Sequence, residues 1–423
     1  QGGRDHWPRR DVDLVERDRS LGGNVRNIKA TLETADVDKV LDGLARRVEK
    51  HPKITLHLGA VVRGFEGHVG DFKLRFSSGV EVECATIVVA TGALESVPTE
   101  YQYGKDPRVM TQLQFEKAFC DHPEKFKGKS VVMIQCVGSR EPKIKDRTYC
   151  SRTCCTTAVR NGLELLRKHP DSSVTVLYRD IRTYGFREDA YREARGAGAV
   201  FVRYSLERRP EVTLEGGKLR VRVKDTILGR TLEMAPDFLV LSAATVPSPG
   251  AEELSKLLKI PLMDSGFFLE AHMKLRPVDF ASEGIFLAGS AHSPKFISEA
   301  ISQASATAGR ASIILARGYV ESGGVIAEID PQKCAACLTC VRLCPVKAPR
   351  VGYQDKAPVH GGFALPSAVV VIEESQCVGC GICSAACPSK AIQLRHYRDR
   401  QVIAKAEALL METISCVANG GGT

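Results

Sequence analysis

Val131 to Glu141 reads VVMIQCVGSRE, a run of β-branched and apolar residues that enters a tight turn at Gly138. With a helix-like segment downstream, this is how a dinucleotide-binding βα unit begins. Such a unit shows G-x-G-x-x-G, because only glycine lets the backbone come close enough for a helix N-terminus to hold a pyrophosphate. Here Cys136 stands where the first glycine is expected, and YCSRTCC adds Cys150, Cys154 and Cys155. Outward from that stretch, KSVVMIQ, a helix from about Cys154 to His169 and SSVTVLYRD form a β-α-β unit.

The surrounding pattern extends the same architecture. LVERDRSLGGN is a short strand ending in Glu16, followed by the pair Gly22 and Gly23; an acid in that position hydrogen-bonds a ribose in nucleotide-binding folds. Such an acid follows the phosphate loop by about 20 residues. Only fifteen residues precede Glu16, so the first strand and its loop are expected to be missing, as in an N-terminally truncated copy. VDKVLDGLARRVEKHP has helical spacing and basic residues near its end. ITLHLGAVVRGFEGHVGDFKLRF alternates and predicts a β-meander. ATIVVATGA is a buried strand turning at Gly92, and GIFLAGSAHSPKFISEAISQASATAGRASIILARG supplies a last strand and a long helix. Alternating strands and helices imply an α/β protein with two doubly wound lobes.

After Gly323 the texture changes to short segments punctuated by Cys and Pro. CAACLTCVRLCP contains Cys334, Cys337, Cys340 and Cys344, and CVGCGICSAACP contains Cys377, Cys380, Cys383 and Cys387. Both are the C-x2-C-x2-C-x3-C-P run of bacterial ferredoxins, in which three thiolates wrap one cubane and the fourth reaches to the other. One [4Fe-4S] cluster is therefore assigned to Cys334, Cys337, Cys340 and Cys387, and its twin to Cys377, Cys380, Cys383 and Cys344. Structural zinc would use paired C-x2-C knuckles instead, and disulfides do not suit the expected compartment.

The 423 residues, 43% hydrophobic and 26% charged, suit two or three domains. The net charge of +9 comes from 59 basic against 50 acidic residues, spread without a basic, aromatic-interleaved run. No nucleic-acid partner is expected. No apolar run has the length of a membrane span and no signal peptide is evident, so no direct membrane insertion and a cytoplasmic location are expected.

With these motifs in hand, the chain resembles the A subunits of the heterodisulfide reductases, the iron-sulfur flavoproteins of methanogens and sulfate reducers, and the related B subunit of quinone-interacting oxidoreductase complexes. The likeness is carried by LVERDRSLGGN, PTEYQYGKDPRVMTQLQFE, QCVGSRE with YCSRTCC, FLAGSAHSPKFISEAISQASA and the paired ferredoxin motifs, from Val12 to about Ala408. It implies a thioredoxin-reductase-like FAD core in residues 1–128 and 246–322, a second nucleotide-domain-like lobe in 129–245, a bacterial-type 2[4Fe-4S] ferredoxin domain of α+β type in 323–398, and a C-terminal helix and tail in 399–423. It also implies that Cys136, Cys150, Cys154 and Cys155 ligate a further [4Fe-4S] cluster. Read without the family, the same four are more simply ordinary buried thiols, because their spacing alone is not a standard ligand pattern. Cys84, Cys120 and Cys416 are expected to be packing thiols.

For the flavin, the resemblance implies contacts from Glu16, Arg17, Gly22, Gly23, Asn24, Gly92, Gly289, Ser290 and Lys295, with the helix after Lys295 aiming its positive end at the cofactor. Ser290 departs from the acid usual after the A-G pair. In the family a lysine on the helix after the Cys pair approaches the redox-active edge of the flavin; Arg160 occupies the matching position, as a catalytic candidate or as a plain surface arginine. Many members carry a further ferredoxin insert, whereas residues 68–83 predict a plain hairpin without cysteine.

The expected function is that of an oxidoreductase component passing electrons between FAD and [4Fe-4S] clusters, with flavin-based bifurcation to ferredoxin as an extension. Expected partners are B- and C-type subunits, a hydrogenase- or dehydrogenase-linked iron-sulfur subunit, ferredoxin, and a second copy within the complex. Two alternatives stand beside it. An NAD(P)H-dependent ferredoxin-linked oxidoreductase of the glutamate synthase small-subunit type would need the Gly-rich fingerprint that residues 135–140 lack. The other is a flavin-free ferredoxin-type wire.

Overall fold

Val12–Glu16 (β1) is followed by a helix over Val37–Glu49 (α1), started by Asp36, whose side chain accepts a hydrogen bond from the Lys39 amide at 2.9 Å. An acceptor in that position satisfies one of the free amides of the first turn. The computed structural model describes residues 11–317, 325–355 and 366–419. The first ten residues and the expected boundary at 322/323 lie outside them, as does the side chain of Cys416.

After α1 the chain enters Ile54–Leu58 (β2), which pairs in parallel with β1, Val12 opposite Ile54 and Glu16 opposite Leu58. This corrects the predicted meander. Alternation identifies a half-buried strand but not its partner, and β2 joins a strand some forty residues earlier. The meander itself is Val62–His68 (β3), Asp71–Phe76 (β4) and Glu81–Cys84 (β5), and the predicted hairpin lies within it. Ile87–Val89 (β6) and Ala93–Glu95 (β7) complete this part.

The second lobe is built on one sheet. Val109–Thr111 (β8) leads into Gln112–Asp121 (α2), where Thr111 and Gln114 form a reciprocal capping box. Then come Ser130–Val137 (β9), Cys154–Lys168 (α3), Ser173–Tyr178 (β10), Arg187–Gly196 (α4) and Val200–Arg203 (β11). A three-stranded antiparallel sheet follows, Glu211–Glu215 (β12), Lys218–Lys224 (β13) and Thr231–Met234 (β14), before Phe238–Ala243 (β15). The five strands lie in the order β11-β10-β9-β15-β8, every pair parallel.

β9 is central and covered on both faces, as a near-continuous apolar run requires. Val131 and Met133 pack with α3 residues Ala158, Leu163 and Leu165; Val132 and Ile134 face Leu219 and Val221 of β13. Each such side chain contributes about 1.5–3 kcal/mol on burial.

The chain returns to the first lobe through Thr245–Pro247 (β16), antiparallel to β7, then Ala251–Leu258 (α5), Ile285–Leu287 (β17), which runs parallel to β6, and Ile297–Arg317 (α6). A separate core joins the meander, α5 and β17 through Phe72, Phe76, Leu258, Phe268, Phe280 and Leu287. The last unit comprises Ala327–Ile329 (β18), Thr339–Leu343 (α7), Pro349–Asp355 (β19), Pro366–Ile372 (β20), Ile382–Ala386 (α8), Ile392–Leu394 (β21) and Asp399–Asn419 (α9). Its core is small and includes Cys334, Cys340, Cys383 and Cys387 among Val369, Val370 and Ile392. No helix among the described residues is long and apolar enough to cross a membrane.

Candidate iron-sulfur and flavin sites

The C-terminal unit gathers its thiols by repeating one loop. Residues two and four places after the first cysteine take left-handed backbone in both copies: Ala336 and Leu338 at φ 51° and 61°, Gly379 and Gly381 at 66° and 78°. Lys347 and Lys390, each three after the last cysteine, repeat the match at 56° and 51°. At Gly379 the requirement is also steric, since a Cβ would stand 2.3 Å from the Val325 carbonyl oxygen. Each loop then enters a short helix that holds its third cysteine, Cys340 on α7 and Cys383 on α8.

Electrostatics shows which thiols are neighbours. Burial pushes Cys383 up to about 11, and Cys377, Cys344 and Cys380 add to the rise. Cys340 is raised by burial, with Cys334 and Cys337 adding, while Cys337 feels Cys387. Cys334, Cys337, Cys340 and Cys387 also line one cavity with Pro388. Backbone amides turn inward as an anionic centre requires: those of Ala327 and Ala391 donate to Cys377 and Cys387 Sγ, each at 3.3 Å. No three His, Cys, Asp or Glu side chains among the described residues are grouped as a single metal ion would need. A cubane asks for a wider set, because each thiolate binds its own iron.

The thiols of the second lobe come together differently. Cys136 has φ 64°, the conformation glycine takes in a nucleotide fingerprint, at the place where the register of β9 against β15 shifts. Cys154 and Cys155 are the first two residues of α3, a helix with no side-chain cap, so its first amides are free to face an anion. Cys136, Cys154 and Cys155 are buried and Cys150 is half-buried. Cys154 is raised by its hydrogen bond to Cys155 and by burial, with Cys136 and Cys150 adding, so the other three all lie near Cys154. That same hydrogen bond lowers Cys155 against burial, helped by the Arg182 amide and the charges of Arg140 and Arg182.

Arginines frame this group. Arg140 Nη1 lies 3.8 Å from Cys136 Sγ while Nη2 pairs with Asp180 at 2.5 Å. Arg179 donates to the carbonyls of Ser139 and Arg140, which holds the turn. The Arg152 amide donates to Cys150 Sγ at 3.3 Å, and its guanidinium donates to Tyr184 Oη, Glu299 Oε1 and the Pro294 carbonyl. One residue thus ties the cysteine loop to the start of α6. Beside it a cavity of about 620 Å³ is lined by Cys150, Arg152, Arg182, Tyr184 and Glu188. Sequence reading missed these arginines, although Arg140 and Arg152 sit inside the two motifs it singled out.

Of the expected flavin contacts, Gly92 and Gly289 come side by side, because they follow the paired parallel strands β6 and β17; their φ values are 72° and 69°, and Ser290 lies in the same turn. Lys295 precedes α6, 3.3 Å from His292 Nδ1 and 3.4 Å from Ser293 Oγ, and burial lowers it to about 8, with the Arg152 charge adding. Gln303 Oε1 on α6 is buried without a partner, a place that accepts an added donor. Glu16 Oε1 accepts from the Asp18 amide at 2.9 Å, Arg17 donates to the Pro249 carbonyl, and Asn24 accepts from Asn27. Gly23 has φ 47° and open space where a Cβ would lie. Gly22 answers to packing instead: its φ is 113° and a Cβ would meet Leu41 at 2.7 Å.

Arg160 is not a surface residue. Its Nη1 bonds Glu116 Oε1 at 3.0 Å, and that carboxylate oxygen also accepts from the amides of Lys29 and Ala30. Cys120 is exposed, which corrects its reading as a packing thiol, whereas Cys84 is half-buried and pushed up to about 11 by burial.

Comparison with known proteins places the C-terminal unit and the chain as a whole among known families. Residues 333–392 match the model of a 4Fe-4S dicluster domain, and residues 369–419 match a second model of the same description. Over 350 residues, 79% of the chain, it is 38% identical to the A subunit of the H(2):CoB-CoM heterodisulfide,ferredoxin reductase of Methanothermobacter thermautotrophicus. The chain belongs to the A-subunit family of the heterodisulfide reductases. A second relative, the iron-sulfur A subunit of the CoB-CoM heterodisulfide reductase of Methanocaldococcus jannaschii, is 36% identical over 355 residues, 78% of the chain. The chain spans about half the length of these heterodisulfide reductase relatives, 50% and 51%. Among solved structures, thioredoxin reductase from Lactococcus lactis aligns with 73% of this chain and 99% of its own at 20% identity and a TM-score of 0.49. The fold class is α/β with a C-terminal 4Fe-4S dicluster domain.

Proposed function

We propose that this heterodisulfide reductase homologue transfers electrons between FAD and three [4Fe-4S] clusters. The observation that carries the reading is the set of three separate four-thiol groups: two in the dicluster domain and one at the start of α3, joined through Arg152 to the start of α6. The dicluster ligands in this reading are Cys334, Cys337, Cys340 and Cys387 for one cluster, and Cys377, Cys380, Cys383 and Cys344 for the other. Cys136, Cys150, Cys154 and Cys155 hold the third.

FAD, when bound, supplies the exchange between electron pairs and single electrons. The protein's part is positional and electrostatic. The Gly92 and Gly289 turns admit a cofactor closely, Lys295 and the start of α6 favour negative charge, and Arg152 holds that helix against the cysteine loop. Arg160 supplies a charge locked to Glu116.

The relatives are named as A subunits of heterodisulfide reductases, which supports other subunits of such a complex as partners; the finer proposal is B- and C-type subunits, a hydrogenase- or dehydrogenase-linked iron-sulfur subunit, ferredoxin and a second copy of the chain. Bifurcation between ferredoxin and a higher-potential acceptor is the finer form of the proposal. The test is anaerobic purification with iron and flavin counting. About twelve irons and one FAD per chain support the reading, since three cubanes hold four each; about eight irons without flavin refute it in favour of a ferredoxin wire.

A further inference from the structure

We infer that Gln135 and Thr156 donate hydrogen bonds to the sulfurs of the cluster held by Cys136, Cys150, Cys154 and Cys155 and thereby raise its potential; this rests on the reading of those four thiols given above. Gln135 is 0% exposed, yet neither its Nε2 nor its Oε1 has a hydrogen-bond partner. Thr156, 6% exposed, has an unpartnered Oγ1. Buried polar side chains are nearly always satisfied, and each exception needs a reason. Both of these are next in the chain to a cysteine of the same group.

The fold brings them to one place. Side chains alternate along a strand, so Gln135 continues the face of Val131 and Met133, which is the face packed on α3. A Cβ at Gly162 would lie 3.1 Å from Val174 Cγ1 and 4.0 Å from Met133 Cε, so this turn of α3 packs over Val174, which pairs with Val131, and over the Met133 side chain. The helix of a β-α-β unit runs back along its strand. Two further strand residues advance about 6.6 Å, which corresponds to about four residues of helix. Gln135 therefore faces the turns of α3 that precede Gly162, from Ala158 back toward the first turn with Cys154 and Cys155. Thr156 belongs to that same first turn.

The chemistry suits the position. An amide and a hydroxyl can donate without carrying charge, and donors to cluster sulfurs stabilise the reduced, more negative state. Gln135 and Thr156 are positioning residues of this kind rather than spare polar groups in a core.

The test uses the anaerobically purified holoprotein with Gln135→Met and Thr156→Val, which remove the donors at nearly constant shape, and Thr156→Ser, which restores one. Iron is counted and each cluster titrated by EPR, with the dicluster centres as internal reference. The expected result is an iron content of about twelve in every variant, a lower midpoint potential for the second-lobe cluster in both donor-free variants, recovery in Thr156→Ser, and unmoved dicluster potentials. Should one variant fail to load iron, the other still decides. Unmoved second-lobe potentials at full iron, with a raised melting temperature, would show two idle polar groups and overturn the inference. An iron content of about eight in the parent protein is a different failure, that of the third cluster itself, and is seen before any variant is measured.

Discussion

The two kinds of thiol site in this chain are made by opposite means. In the dicluster domain the loop is the site: spacing and left-handed turns recur in two copies, and the cysteines are also the core, packed with Val369 and Ile392. In the second lobe a finished fold carries the site. The sheet and its two cores stand without the thiols, which occupy only a strand end and a helix start. A ferredoxin-like unit of this size depends on its clusters for folding energy, because the residues that bind them are the residues that would otherwise form its interior. On the proposed reading, the α/β lobe would keep its fold without its cluster.

That contrast can be broken most severely at the cysteines. Cys383→Ser is expected to cost both dicluster centres and the cooperative unfolding of the C-terminal unit, while Cys154→Ser removes only the second-lobe centre and leaves that lobe's melting transition in place. Iron counting with calorimetry separates the two. Equal loss of fold in both variants would end the comparison.

A large effect is also expected where the lobes are tied. Arg160→Met leaves Glu116 buried at 2% side-chain exposure without its cation, at an expected cost of about 3 kcal/mol in urea unfolding. Within the dicluster domain, the copies should respond differently to the same exchange. Gly379→Ala drives a Cβ into the Val325 carbonyl and is expected to destabilise by more than about 1 kcal/mol. Ala336→Gly, at the matching site with φ 51°, relieves left-handed strain and stabilises by about 0.5–1 kcal/mol. Thermal melts of the loaded protein check both signs.

The smallest expected effect lies at the crossover between lobes. Burial raises the Glu95 carboxyl to about 7, against hydrogen bonds from Thr111 and the Leu113 amide. The folded state therefore holds this proton more tightly than the unfolded chain does. Its contribution to stability is fully present below the ordinary carboxylate range and is lost as pH rises to about 7. Glu95→Gln should flatten the fall in urea midpoint between pH 5 and 7; an unchanged slope would assign that fall to other groups.

Much of this was readable in the chain itself. The dicluster motif was legible because cluster ligation demands thiols at short, fixed intervals, and the β9 to β10 unit because a doubly covered parallel strand must be a solid apolar run. The partner of β2 was not legible, since alternation reports burial on one face and says nothing of which strand lies alongside. The burial of Arg160 and the exposure of Cys120 were not legible for a related reason. Exposure belongs to a surface, and the surface exists only once Glu116 and the amides of Lys29 and Ala30 have met.

Residue order alone determined what could bind: fifteen cysteines, twelve of them in three sets, with glycines where strands turn. Tertiary structure decided what stands next to what. It set Arg152 against Glu299 across 147 residues, placed Cys136 beside the start of α3, and gave Gly22 its reason in Leu41. Local spacing is enforced by covalent geometry and survives in any context, whereas contacts between distant segments are fixed only when burial of the intervening core makes one arrangement lower in free energy than the rest.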